Sequence, residues 1–187
     1  MTNHVVLVSF SSRKDGNCSE ITAFIESQLL NSVKTYRFDS FFIHPCGACE
    51  YECFLNGAAC PYYDDKEVEI LEAISESKEA IFIIPNYCDH PCANFYIFNE
   101  RSNCWFQGHP DRLEQYLKIR KKFITVSGTR SESFRRAYEQ HAEGTPQILY
   151  LSAKEYGSER SIDGDILKSD LVRTVVREFL LKQPEGA

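Results

Sequence analysis

Four cysteines crowd into one short stretch, spaced Cys46-x2-Cys49-x3-Cys53-x6-Cys60 and followed by Pro61 and Asp64-Asp65. Thiolates this close in sequence can wrap a compact iron–sulfur cluster such as [4Fe-4S]. Zinc also accepts four cysteines, although it more often takes two Cys-x2-Cys knuckles spread farther apart. A third reading leaves these thiols free or paired with one another. Cys88, Cys92 and Cys104 stand alone, and single cysteines usually serve as small apolar fillers. Two of them, Cys88 and Cys92, fall in a polar loop, which puts a thiol near any ligand held there.

A second group is Ser11-Ser12-Arg13-Lys14-Asp15-Gly16-Asn17-Cys18-Ser19, rich in hydroxyls and turn formers. At a helix start the first backbone N–H groups lack intrahelical partners and carry the positive end of the dipole, so such a loop can hold an anion. Arg13 can add a charged clamp. The competing reading is an ordinary turn with Asn17 or Ser19 as a helix cap. Two further loops are Pro85-Asn86-Tyr87-Cys88-Asp89-His90-Pro91-Cys92-Ala93 and the weaker Ser127-Gly128-Thr129. Each also reads as a plain polar turn closing a buried strand.

The elements that position these loops follow from hydrophobic period. Short apolar runs at His4–Phe10, Lys34–Phe38, Ala80–Ile84, Phe123–Ser127 and Gln147–Leu151 read as strands, with Pro85 expected to stop the third. Between them lie amphipathic segments. Ile21, Phe24, Ile25 and Leu29 share one helical stripe, and helices are predicted over Asp65–Ser77, Ala93–Cys104, Ser133–Ala142 and Asp165–Lys182. This alternation is that of an α/β fold: a doubly wound five-stranded parallel sheet of flavodoxin-like order 2-1-3-4-5, with helices on both faces. Ligands of such sheets bind beyond the strand ends where the winding reverses, and that is where all three loops fall. The chain is expected to be a single domain over 1–187, with a cysteine-rich insertion at about 39–64, far longer than the usual connection of roughly 2–6 residues.

On these residues the sequence resembles the NADPH-dependent FMN reductase and iron–sulfur flavoprotein branch of the flavodoxin-like superfamily, whose first loop reads roughly Gly-Ser-x-Arg-x-x-Gly-Asn-Thr. Ser11, Arg13, Gly16 and Asn17 match, while Phe10 stands where the family has glycine and Cys18 where it has threonine. The resemblance implies that Ser11, Arg13 and Asn17, with loop amides including that of Cys18, hold the FMN phosphate. It continues through the Pro-x-Tyr loop to Glu100-Arg101, and implies that Pro85, Asn86, Tyr87, Cys88, Asp89 and His90 edge the isoalloxazine ring. Amides of Asn86 to His90 can bond the polar edge of that ring, and Tyr87 offers a flat apolar face. Ser127, Gly128 and Thr129 stand where the family has a third flavin loop, and a compact four-cysteine iron–sulfur motif falls in the same insertion.

The resemblance further implies NAD(P)H as electron donor, a small-molecule or protein acceptor, and chemistry carried by the flavin with no catalytic side chain. It implies a homodimer or homotetramer, for whose interface Tyr62, Tyr63, Phe95 and Trp105 are candidates. An iron–sulfur flavoprotein that only carries electrons and a zinc-stabilised interaction module are the runners-up.

Composition narrows the classes. The chain has 187 residues, 43% of them hydrophobic, enough to bury a full core. Lys and Arg number 21 against 27 Asp and Glu, a net charge of −6 that leaves no footprint for nucleic acid. No apolar run approaches the roughly 20 residues of a membrane span, and no leader pattern opens the chain. A cytoplasmic location is expected, where the eight cysteines stay reduced.

Overall fold

Val, Ile and Phe runs build the centre of the molecule. The computed structural model describes residues 4–29, 33–47, 49–55, 60–128, 135–160 and 162–183. Its strands are β1 (Val5–Ser9), β2 (Val33–Arg37), β3 (Glu79–Tyr87), β4 (His90–Pro91), β5 (Arg120–Ser127) and β6 (Gln147–Ser152). The helices are α1 (Asn17–Leu29), α2 (Glu52–Leu55), α3 (Lys66–Glu76), α4 (Ala93–Phe106), α5 (Pro110–Lys118), α6 (Arg136–Glu139) and α7 (Asp170–Leu181), the last preceded by a 3-10 turn at Ile166–Lys168. The sheet runs β2-β1-β3-β5-β6 with every pair parallel, which is the expected order 2-1-3-4-5. The short β4 folds back antiparallel on the end of β3. No helix among the described residues is long and apolar enough to cross a membrane.

Alternate residues of each strand feed two cores, one per sheet face. Val6, Val8, Ala80, Phe82 and Phe123 meet Leu71, Ile74, Phe95 and Phe98 on one side. Leu7, Ile81, Ile83 and Ile124 meet Ile21, Ile25, Val172 and Val176 on the other. Phe10 lies in the first core, fully buried, with ring contacts to Phe38, Phe82, Phe95 and Phe98. A large residue at the head of the first loop is thus directed into the aromatic core.

Several expectations need correction. Pro85 does not end β3, which continues to Tyr87. Its β1 partner ends at Ser9 opposite Ile83 and β4 pairs with β3 only from Asn86 on, so the missing N–H of Pro85 falls between the two pairings and leaves no ladder gap. The helix expected over Ser133–Ala142 is one turn, Arg136–Glu139, within the described residues. Helix α5 was not expected; Pro110 at its first turn starts it, and of its residues only Tyr116 is fully buried. Phe95 and Trp105, proposed for an interface, are core residues of the single chain.

The insertion is tied down by one guanidinium. Arg101 on α4 is 1% exposed; its Nη1 donates to the Asp65 carboxylate at 3.0 Å and to the His44 carbonyl at 2.8 Å. Its Nη2 donates to the Tyr62 carbonyl at 3.3 Å and lies 3.2 Å from Glu67 Oε2. The Tyr62 ring stacks on His44 with centroids 4.2 Å apart. Asp65 also caps α3 by accepting from the Glu67 N–H at 3.1 Å.

Burial pushes the Glu67 carboxyl up to about 9, against the pull of Arg101 and with some help from Asp65. The folded chain therefore holds a proton that the unfolded chain, with a carboxyl near 4.5, releases. Stability from this group is fully present below about pH 4.5 and is lost as pH rises toward 9. Between pH 6 and 8 we expect a fall of about 1 kcal/mol, below the ideal limit of roughly 1.4 per unit because water and side-chain relaxation screen the site. Denaturant unfolding of wild type and Glu67→Gln checks this: the variant should lose the slope, and identical slopes would contradict it.

Candidate functional site

At the C-terminal ends of β1 and β3, one narrow cleft is lined by Ser11, Arg13, Gly16, Asn17, Cys18, Pro85, Tyr87, Val126 and Ile162. Five residues of the predicted phosphate loop thus meet two of the predicted ring loop. A wider hollow lies between β6 and α7, lined by Gln147, Leu149, Val175 and Phe179 among others, and contains none of the predicted site residues.

The first loop is braced by its own hydroxyls. Ser11 Oγ accepts from the Arg13 N–H at 3.1 Å, and Ser19 Oγ donates to the Arg13 carbonyl at 2.8 Å. Asn94 Nδ2 donates to the Phe10 carbonyl at 2.9 Å and to Ser12 Oγ at 2.8 Å, joining the loop to α4. The first helical bond of α1 runs from the Glu20 N–H to the Gly16 carbonyl, so the amides just ahead of it open toward the loop. Gly16 has φ +135°, and a Cβ there would sit 3.2 Å from the Ile162 carbonyl oxygen; the position requires glycine. Asn17 is buried, and its Oδ1 accepts from the Ile166 N–H at 3.0 Å, clasping the 3-10 turn to the start of α1.

Arg13 stands exposed at the rim. The Tyr87 phenol is pushed up by burial and by the neighbouring Cys18 and Cys92, and pulled the other way by Arg13. Arg13 and Tyr87 therefore face a common space. Cys18 belongs to the apolar core beneath α1, and burial lifts its thiol far above the ordinary value. What Cys18 can offer a ligand is its backbone N–H. Cys92 Sγ donates to the Phe10 carbonyl at 3.4 Å, and burial pushes this thiol up to about 11.

The ring loop is a hairpin. Tyr87 pairs with His90 and Asn86 with Pro91, leaving Cys88 and Asp89 as a two-residue turn with φ 49° and 66°, both left-handed as a type I′ turn requires. Tyr87 is 47% exposed, and Cys88, Asp89 and His90 are exposed with it. Asn86 is buried; its Oδ1 accepts from the Tyr138 hydroxyl at 3.3 Å, while its Nδ2 has no acceptor among the described residues. That side chain is bonded to Tyr138 in the core and does not line the cleft. The glycine cradle and the backbone amides at the start of α1 make a donor set that fits the phosphate of a flavin such as FMN.

The third loop contributes less. The Ser127 and Gly128 carbonyls accept from the Ala153 and Lys154 N–H groups, which braces the exit of β6, and Val126 rather than either of them lines the cleft. Thr129 lies outside the described residues. Sequence reasoning missed Val126 and the Ile162–Gly164 segment that closes over Gly16. The Asp163-Gly164-Asp165 turn ahead of the last helix was the available signal.

Within the cysteine quartet, Cys46 interacts with Cys49 and Cys53. Among the described residues, no three His, Cys, Asp or Glu side chains gather as a metal ion requires. Cys46 and Cys49 are half-buried, whereas Cys53 and Cys60 are buried. The thiol that meets the buried two is Cys104, set aside as a filler: its Sγ lies 3.7 Å from Cys53 Sγ. Burial, with hydrogen bonding to Cys53 and Cys60, holds the Cys104 thiol far above the ordinary range. Helical spacing could have found it, since Cys104 follows Arg101 by three residues on α4 and so shares its face. The described residues give no evidence of a four-cysteine cluster or zinc site.

No family model and no curated protein sequence matches the chain. Solved structures do. The Trp repressor binding protein from Bacillus subtilis superposes with a TM-score of 0.63 at 12% identity, over 96% of this chain and 99% of that one. FerB, a flavoenzyme NAD(P)H:(acceptor) oxidoreductase from Paracoccus denitrificans, gives 0.55 at 11% identity over 96% of each chain. An FMN-dependent NADH-azoreductase from Bacillus anthracis, in complex with FMN, gives 0.55 at 10% identity over 94% of this chain and 99% of that one. This likeness establishes the flavodoxin-like fold.

Proposed function

We propose that this flavodoxin-like chain is an FMN-binding oxidoreductase of the NADPH-dependent FMN reductase type, taking electrons from NAD(P)H and passing them to a small-molecule or protein acceptor. The observation that carries the reading is the single cleft shared by Ser11, Arg13, Gly16, Asn17 and Cys18 with Pro85 and Tyr87. That one structural neighbour holds FMN and another is an NAD(P)H:acceptor oxidoreductase supports it. When bound, FMN supplies the hydride chemistry, so no side-chain acid or base is required.

The chain's own residues then bind and orient. Arg13 and the amides at the start of α1 hold the phosphate, and the Ile162 segment closes over Gly16 and keeps water from that end. Tyr87 and the hairpin turn, Cys88, Asp89 and His90, border the ring, with backbone amides from Asn86 to His90 as donors to its polar edge. Ser127 and Gly128 flank the same end of the sheet. The proposed chemistry needs neither a cluster nor zinc.

We read the chain as one domain with an insertion, working in the cytoplasm. A homodimer or homotetramer remains part of the proposal, with half-buried Tyr62 and exposed Tyr63 as its remaining aromatic candidates. The test is a titration of flavin-free protein with FMN, followed by NADH and NADPH oxidation assays. We expect saturable quenching of flavin fluorescence and flavin-dependent consumption of a reduced nicotinamide. Absence of FMN binding would overturn the reading, whereas FMN binding without nicotinamide oxidation would replace the enzyme with an electron carrier.

A further inference from the structure

The contact between Cys53 and Cys104 has no part in flavin binding. Cys53 sits on the one-turn helix α2 of the insertion and Cys104 near the end of α4, 51 residues later in the chain, yet their sulfurs are 3.7 Å apart. Cys60 hydrogen-bonds the same Cys104 thiol. Three thiols from three separate segments therefore converge, without the geometry that a metal ion needs. Cys53 is 6% exposed and Cys60 8%, while Cys104 is half-buried.

We propose that Cys53 and Cys104 form a reversible redox disulfide, a modification site whose oxidant is a small-molecule disulfide such as oxidised glutathione. One thiol of the pair loses its proton and its sulfur attacks one sulfur of the oxidant; the oxidant's S–S bond breaks and one glutathione thiolate leaves. The other sulfur of the pair, deprotonated in turn, attacks the protein sulfur of that mixed disulfide and displaces the second glutathione. Two protein thiols are oxidised, and two electrons and two protons depart as two molecules of reduced glutathione. The sulfurs need only close from contact to the bonded distance of about 2.05 Å. The bridge links the insertion to α4, beside the Arg101 anchor that already joins them, and so locks an existing contact rather than creating a new one. Cytosolic disulfides of this sort are transient and redox-responsive.

The experiment uses the full chain. Reduced protein is incubated with oxidised glutathione, remaining thiols are alkylated, and the unreduced digest is mapped by mass spectrometry. We expect free thiols to fall from eight to six, a peptide pair joined through Cys53 and Cys104, and full reversal by dithiothreitol. Oxidation should also slow chymotryptic cleavage at Tyr51 and Phe54, each 55% exposed in the insertion, by at least about threefold, because cleavage tracks local opening. Cys104→Ser should abolish both changes. Wild type that keeps eight thiols, or bridges other cysteines such as Cys46 and Cys49, overturns the proposal without recourse to a variant. So does protection of the insertion that persists unchanged in Cys104→Ser.

Discussion

Replacing Arg13 by glutamate should weaken FMN binding by at least about 100-fold. A charge-assisted hydrogen bond to phosphate is worth roughly 1.5–3 kcal/mol, and the introduced carboxylate adds repulsion against a dianion at the same rim. At about 1.4 kcal/mol per factor of ten, the two effects together reach that loss. Because Arg13 is exposed, the unfolding free energy of the flavin-free protein should move by no more than about 0.5 kcal/mol. Riboflavin lacks the phosphate and serves as the control. Its affinity should change little, and an equal loss for FMN and riboflavin would show that Arg13 does not face the phosphate.

Arg101→Met is expected to be the most damaging single change to stability, at about 3–5 kcal/mol in denaturant unfolding. Removing the guanidinium strands the Asp65 carboxylate at 3.0 Å without its counterion, and leaves the protonated Glu67 carboxyl at 3.2 Å without its partner. Arg101→Lys should recover only part of the loss, since one ammonium cannot reach two carboxyl groups and the His44 and Tyr62 carbonyls in the directions a guanidinium fork does. Adding Asp65→Asn and Glu67→Gln to Arg101→Met should restore some stability, because the stranded acids are then gone. A loss below about 1 kcal/mol for Arg101→Met would mean that the insertion is held by something other than this network.

The strands were legible because a parallel sheet covered on both faces leaves continuous apolar runs, as at Val5–Val8 and Ile81–Ile84. The phosphate loop was legible because helix starts demand particular residues, and Gly16 in its positive-φ cradle is the direct instance. Contacts between distant segments were not. Nothing local to Arg101 says that a carboxylate 36 residues earlier will meet it, or that Ile162 will close over Gly16. Helix α5 escaped because its buried face is narrow, with Leu113 exposed and only Tyr116 inside. Cysteine spacing along the chain says which thiols can meet, and the fold adds Cys104, outside the pattern, beside Cys53.

The hairpin turn at Cys88–Asp89 has a consequence for recognition. Two residues with side chains occupy left-handed backbone that glycine would adopt freely, at a cost of roughly 1–2 kcal/mol each, with aspartate the more tolerant of the two. Their Cβ atoms leave the peptide fewer alternative shapes than a Gly-Gly turn would have, so the surrounding pairing of Asn86 with Pro91 and Tyr87 with His90 holds one geometry before any ligand arrives. The entropy of shaping this edge is then settled during folding and does not subtract from affinity when a planar partner docks.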